Sequence, residues 1–113
     1  MQIQLNTDSH VHGDDSLAAW VEAQLKDKLA RFRDHVTRVE VHLSDVNASR
    51  ATGADKRCKL EARLAGRPPL TVHDDAAKVA DALHGAADKL LRALDTALGR
   101  AKDAHGRDSI RGS

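Results

Sequence analysis

Two stretches, TRVEVHLS at 37–44 and KRCKLEARL at 56–64, alternate polar and apolar residues with a period of two. Successive side chains of a strand point to opposite faces. Val39, Val41 and Leu43 therefore share one face, and Arg38, Glu40, His42 and Ser44 share the other. The second stretch sorts Cys58, Leu60, Ala62 and Leu64 against Arg57, Lys59, Glu61 and Arg63. MQIQLNT at 1–7 repeats the pattern, with Ile3 and Leu5 opposite Gln2 and Gln4. Strands with a single apolar side need cover on that side only.

Two segments can supply it. Asp14 or Asp15 caps a helix whose apolar residues Leu17, Trp20, Val21, Leu25, Leu29 and Phe32 keep three-to-four spacing, ending near Arg33 or Asp34. From about Ala76 to Asp103 only glycine interrupts helical periodicity, giving a helix on the order of 40 Å long at 1.5 Å per residue. Between them, DVNASRATGAD (45–55) reads as a flexible connection, AGRPP (65–69) as a turn, LTVH (70–73) as a last short strand, and Asp74 and Asp75 as caps of the final helix. The order is β-α-β-β-β-α. This is an α+β fold of one domain, 1–103, with a four-stranded sheet and two helices on one face, followed by a disordered or frayed tail, 104–113.

At 113 residues the chain is long enough to bury roughly two-thirds of its unfolded surface in one core. Its single cysteine, Cys58, has no partner for an intramolecular disulfide. No apolar run follows a basic start as in a signal peptide, and none approaches the roughly 18 to 20 residues of a membrane span. The expectation is a reduced, cytoplasmic protein without membrane contact. Net charge is +1, but residues 1–45 hold 5 Lys and Arg against 8 Asp and Glu, while 46–113 hold 13 against 9. A surface for anions thus draws mainly on the later part of the chain.

On a helical wheel, Val79, Leu83, Ala87, Leu90, Leu91, Leu94, Leu98 and Ala101 form one stripe for the sheet. Lys78, Lys89, Arg92 and Arg100 fall nearly opposite it, and Asp81, Asp88 and Asp95 fall between the two. Charges sorted by sign form a basic ridge, the arrangement that suits phosphates, although pairs within the helix such as Asp88 with Arg92 offer a plainer reading. The outer face of the sheet carries Arg38, His42, Arg57, Lys59, Arg63 and His73 with Glu40 and Glu61, a mixed and solvated set. Trp20 and Phe32 both lie in the first helix's apolar stripe, so no aromatic platform is left for stacking bases.

Catalytic chemistry finds no support. His10 and His12 bring two imidazoles close, but no cysteine pair, HExxH or carboxylate cluster completes a metal site. Neither a GxSxG nor a GK[ST] loop occurs, and Cys58 belongs to an apolar strand face. The chain is expected to be no enzyme, with no cofactor, no metal and no small-molecule substrate.

MQIQLNT, LAAWVEAQLKDKLARFRDHVTRVEVHLSD, DKRCKLEARLAGRPPLTVHDDA and ADALHGAADKLLRAL, taken in order, resemble the ribosome hibernation-promoting and ribosome-associated inhibitor family, also called the sigma-54 modulation protein family. The resemblance covers about residues 1–103. It implies a β-α-β-β-β-α fold similar to a double-stranded-RNA-binding domain. It also implies a factor that occupies the mRNA and tRNA channel of the small ribosomal subunit in stationary phase or stress. Lys89 and Arg92 match the family's lysine and arginine in DKLxRxL, and Arg100 and Lys102 match later members of its basic run. Lys78 on the ridge, and Lys26, Lys28 and Arg31 on the first helix, complete the expected rRNA-binding set. The chain departs from the family pattern at Ala80, where an aromatic is usual, at His84, where aspartate is usual, and at Thr96 and Leu98, where lysines are common. It reads as a short form whose non-acidic tail leans toward promoting paired ribosomes. The alternative is a protein-interaction module modulating transcription machinery through a strand edge or the sheet's mixed face.

Overall fold

A computed structural model describes residues 1–8, 11–46 and 56–111, with side chains as far as residue 99. Strands β1 (Gln2–Thr7), β2 (Val36–Asp45), β3 (Lys56–Leu64) and β4 (Arg67–Ala76) form one sheet in the order β1-β2-β3-β4. β1 runs parallel to β2, and the other two pairings are antiparallel. The parallel pair is joined through helix α1 (Asp15–Lys28), while helix α2 (Val79–Arg111) follows β4 and packs on β3 and β4. The expected α+β architecture is the observed one.

The strand faces fall as the alternation requires. Val39, Val41, Leu43, Cys58, Leu60, Ala62 and Leu64 are buried beneath the helices. Val21 and Leu25 of α1, then Ala82, Leu83, Ala86, Ala87, Leu90 and Leu94 of α2, close the core from above. Fully burying one such leucine contributes about 1.5–3 kcal/mol. Val36 and Val39 are both buried although they differ in parity, and a register shift between Val36 and Arg38 absorbs the extra residue.

Helix α1 starts where its cap predicts: an Asp14 carboxylate oxygen accepts from the Leu17 amide at 2.8 Å. It ends at Lys28, short of the expected Arg33 or Asp34, and a 3-10 turn at Ala30–Phe32 takes over. Side chains three apart eclipse in a 3-10 turn, so Leu29 and Phe32 both enter the core while the chain bends toward β2. Trp20, expected in the buried stripe, is only half-buried and packs against His84.

Three expectations around β4 are corrected. The turn after β3 is confined to Ala65 and Gly66, with Gly66 at φ +69°, in the left-handed region that glycine adopts without strain. Pro68 and Pro69 lie inside β4, which as an edge strand has a side that needs no donor. Asp74 and Asp75 also belong to the strand, opposite Cys58 and Arg57, and do not cap the helix. α2 begins only at Val79, three residues after the expected Ala76, so Lys78 stands just ahead of the helix. Most of the expected flexible connection, residues 47–55, and His10 lie outside the described residues.

Candidate nucleic-acid interface

α1 and α2 lie side by side and run in the same direction, since Trp20 meets His84, Lys28 meets Asp88 and Arg31 meets Asp95. The Trp20 and His84 rings are 5.9 Å apart and tilted by 50°. Lys28 Nζ donates to Asp88 Oδ1 at 3.0 Å, and one Arg31 guanidinium nitrogen donates to both Asp95 oxygens at 2.7 Å. The same guanidinium lies 4.7 Å from the centre of the Phe32 ring, a cation–π contact. The acidic flank of α2 is thereby turned toward α1. Asp88 and Asp95 neutralise cations of the other helix, and the Asp88–Arg92 pair within α2 does not form.

The opposite flank of α2 is tied to β4. Lys89 Nζ donates to the His73 carbonyl at 2.9 Å and to Asp74 Oδ1 at 3.1 Å. Gly85 makes this approach possible, because a Cβ there would lie 1.7 Å from Asp74 Oδ2. Further along, Arg67 donates to the Ala97 carbonyl at 3.1 Å, a second link between the strand and the helix. Beneath Asp74, burial pushes the Cys58 thiol up to about 12, helped by the nearby carboxylate, so the thiol stays protonated and unreactive.

Between these flanks lies the crest. Lys78 and Arg92 are exposed, and among the described residues neither has a hydrogen-bond or ion-pair partner. Lys78 stands just ahead of α2, where its carbonyl accepts from the Ala82 amide at 3.0 Å, and Arg92 lies fourteen positions further on, about 21 Å along the axis at 1.5 Å per residue. Arg100 and Lys102 continue the helix, but their side chains lie outside the described residues. On α1, Lys26 pairs with Glu22 one turn back at 2.7 Å. The eight expected contact residues thus divide into an open crest, a strapped Lys89, and three paired cations on the α1 side. Asp74 and Gly85 escape a sequence reading of contacts, although an isolated glycine inside a strong helical pattern is itself a signal of close packing.

Among the described residues no three His, Cys, Asp or Glu side chains come together as metal ligands. No described helix is long and apolar enough to cross a membrane.

The fold is similar to two solved structures. The Thermus thermophilus Protein Y N-terminal domain has a TM-score of 0.63 at 22% identity, over 80% of this chain and 91% of that one. A ribosomal subunit interface protein from Coxiella burnetii has a TM-score of 0.62 at 18% identity, over 90% of this chain and 98% of that one. Among curated proteins no sequence matches. The sequence of residues 4–105, from within β1 to within α2, matches the family described as Sigma 54 modulation protein / S30EA ribosomal protein, and the chain belongs to that family.

Proposed function

We propose that this chain is a ribosome-associated translation inhibitor, a hibernation factor that docks on small-subunit rRNA in the mRNA and tRNA channel in stationary phase or stress. The family match over residues 4–105 carries the reading. The unit that docks is the domain of residues 1–103, acting in the cytoplasm by occupying a channel and without catalysing a reaction. Arg92, Arg100 and Lys102 belong to one long helix and Lys78 stands just before its first residue, and cations at intervals along one axis suit the regular spacing of phosphates on a nucleic-acid strand. Lys89 adds to them once a phosphate replaces the Asp74 carboxylate.

Lys26, Lys28 and Arg31 play a supporting part on the α1 side. Their ion pairs lie at the surface, where such pairs are worth about 0–1 kcal/mol, so a phosphate exchanges for a carboxylate at small cost. Phe32 is buried and the half-buried Trp20 is occupied by His84, which fits recognition through phosphate and shape.

Co-sedimentation with purified small subunits tests the proposal. With about six phosphates neutralised, affinity falls on the order of a thousandfold between 50 and 200 mM salt. Binding that ignores salt removes the phosphate ridge, and the absence of co-sedimentation at low salt overturns the ribosomal reading itself.

A further inference from the structure

The helices cover one face of the sheet and leave the other open. On that open face the strand registers place Asn6, His42, Lys59 and His73 in a single lateral row, one residue from each strand. His42, Lys59 and His73 are exposed, and among the described residues none of their side chains has a hydrogen-bond or ion-pair partner. Adjacent strands are about 4.8 Å apart, so the three cationic or protonatable groups span about 10 Å.

The neighbours explain why this row stands apart from the mixed charges around it. Toward one end of the strands, the adjacent row holds Glu40, Glu61 and Thr71; toward the other end it holds Ser44, Arg57 and Asp75. Each carboxylate in these rows is taken by an arginine. Arg38 and Arg63 reach Glu40 at 3.5 and 3.6 Å, Arg63 also reaches Glu61 at 3.6 Å, and Arg57 grips Asp75 through two nitrogens at 2.7 and 3.0 Å. Asp75, the carboxylate nearest His73 along its strand on this face, is already neutralised by Arg57. The positive charge left on this face is therefore concentrated on Lys59, between two imidazoles.

We infer that His42, Lys59 and His73 form a second phosphate-binding row, which grips an RNA backbone on the face opposite α2 and strengthens as the imidazoles take up protons. Imidazole is the side chain whose charge changes between pH 5 and 8, so acidification adds positive charge to a row built around Lys59. The inference rests on the ribosomal reading only for its setting. A domain lodged in a channel meets nucleic acid on both sides, and this row supplies the contact that the helices do not reach. Phosphate is the ligand that uses all three groups as donors at once, with the Asn6 amide as a fourth at the end of the row.

The test titrates the full chain with a short RNA duplex at pH 6.0 and 7.5, following the His42 and His73 ring resonances by NMR. A second arm measures co-sedimentation with small subunits at the same two pH values. At pH 6.0 the duplex is expected to shift both imidazoles and the Lys59 amide. Affinity should rise about tenfold over pH 7.5, with a salt dependence steeper by about one to two phosphates. H42Q/H73Q should lose that acid-dependent gain and K59E should weaken binding at pH 6.0; unchanged unfolding temperatures show that both variants remain folded. Perturbation confined to α2, or an acid-dependent gain that survives in H42Q/H73Q, overturns the row. If the duplex perturbs the row while small subunits fail to co-sediment, the row stands and the ribosomal setting falls.

Discussion

The cations on the α1 side, Arg31 of the 3-10 turn among them, and those along and just ahead of α2 look alike in sequence and differ in what they face. Lys26, Lys28 and Arg31 each have a carboxylate within 3.0 Å, whereas among the described residues Lys78 and Arg92 have none. A basic side chain that already holds a carboxylate must exchange that partner before it gains another. An unpaired one binds phosphate with only its own hydration and freedom to lose. Local charge therefore measures potential contact, and pairing decides how much of it reaches a ligand.

The most severe way to break this contrast is to reverse the crest. K78E/R92E is expected to weaken co-sedimentation with small subunits about a hundredfold or more at moderate salt and to flatten the salt dependence by at least two phosphates. K78M/R92M, which only neutralises the crest, should still cost more than about tenfold, whereas K28M/R31M, which neutralises as many cations on the α1 side, should cost less than about fivefold. Equal losses in the two methionine variants would show that the ion pairs between the helices have no influence on binding.

The flank of α2 that meets β4 offers the next largest effect, on stability. In G85A the new methyl group falls on the Asp74 carboxylate, which must swing away and release Lys89. Thermal unfolding should register a loss of about 1–3 kcal/mol, the usual scale of overpacking at a tight contact. D74A in the same background should restore most of that loss, because it removes the clashing group. A G85A cost that persists without the carboxylate would place the clash elsewhere.

These contrasts also mark what could be read before any coordinates. The alternation of Val39, Val41 and Leu43, and of Cys58, Leu60, Ala62 and Leu64, assigned both faces of the sheet, because a strand reports its environment at every second residue. The centre of the α2 stripe, Leu83, Ala87, Leu90 and Leu94, was legible for the same reason at helical spacing, whereas Ala82 and Ala86 join the core unforeseen and Val79, Leu91 and Leu98 are only half-buried. The partners of Asp88 and Asp95 were not, since a helical wheel describes one helix and their partners sit about 60 residues away on another element. Asp74 and Asp75 resemble caps by position. Only the pairing of β4 with β3 shows that they are strand residues facing opposite sides of the sheet. The early end of α1 was hidden because Leu29 and Phe32 satisfy a 3-10 turn as well as an α-helix.

Releasing the paired cations, instead of deleting them, sharpens the contrast from the other side. D88N/D95N keeps the shape of the seam but removes the carboxylates that occupy Lys28 and Arg31. Binding to small subunits should tighten by a few-fold, while stability falls by less than about 1 kcal/mol, as expected of surface pairs. Tightening here together with a small effect of K28M/R31M would establish that the acidic flank of α2 restrains the α1 cations in the free protein.

The smallest effect concerns a pair on the outer face of the sheet. The Arg57 guanidinium, through its hydrogen bonds, holds the Asp75 carboxyl below the usual carboxylate range, with His73 and Lys89 adding to the same field. A depressed value in the folded state means that ionised Asp75 stabilises the fold at any pH above the ordinary carboxylate range, about 3.9. That contribution is lost as pH falls through the lower, folded value. Thermal unfolding followed from pH 6 down to pH 2 should therefore show a shallower acid decline in D75N than in the parent chain, with the two curves drawing together at the acid end. Parallel curves would mean that the Arg57–Asp75 pair gains as much in the unfolded chain as in the sheet. The charges on the outer face would then be set by solvent and not by each other.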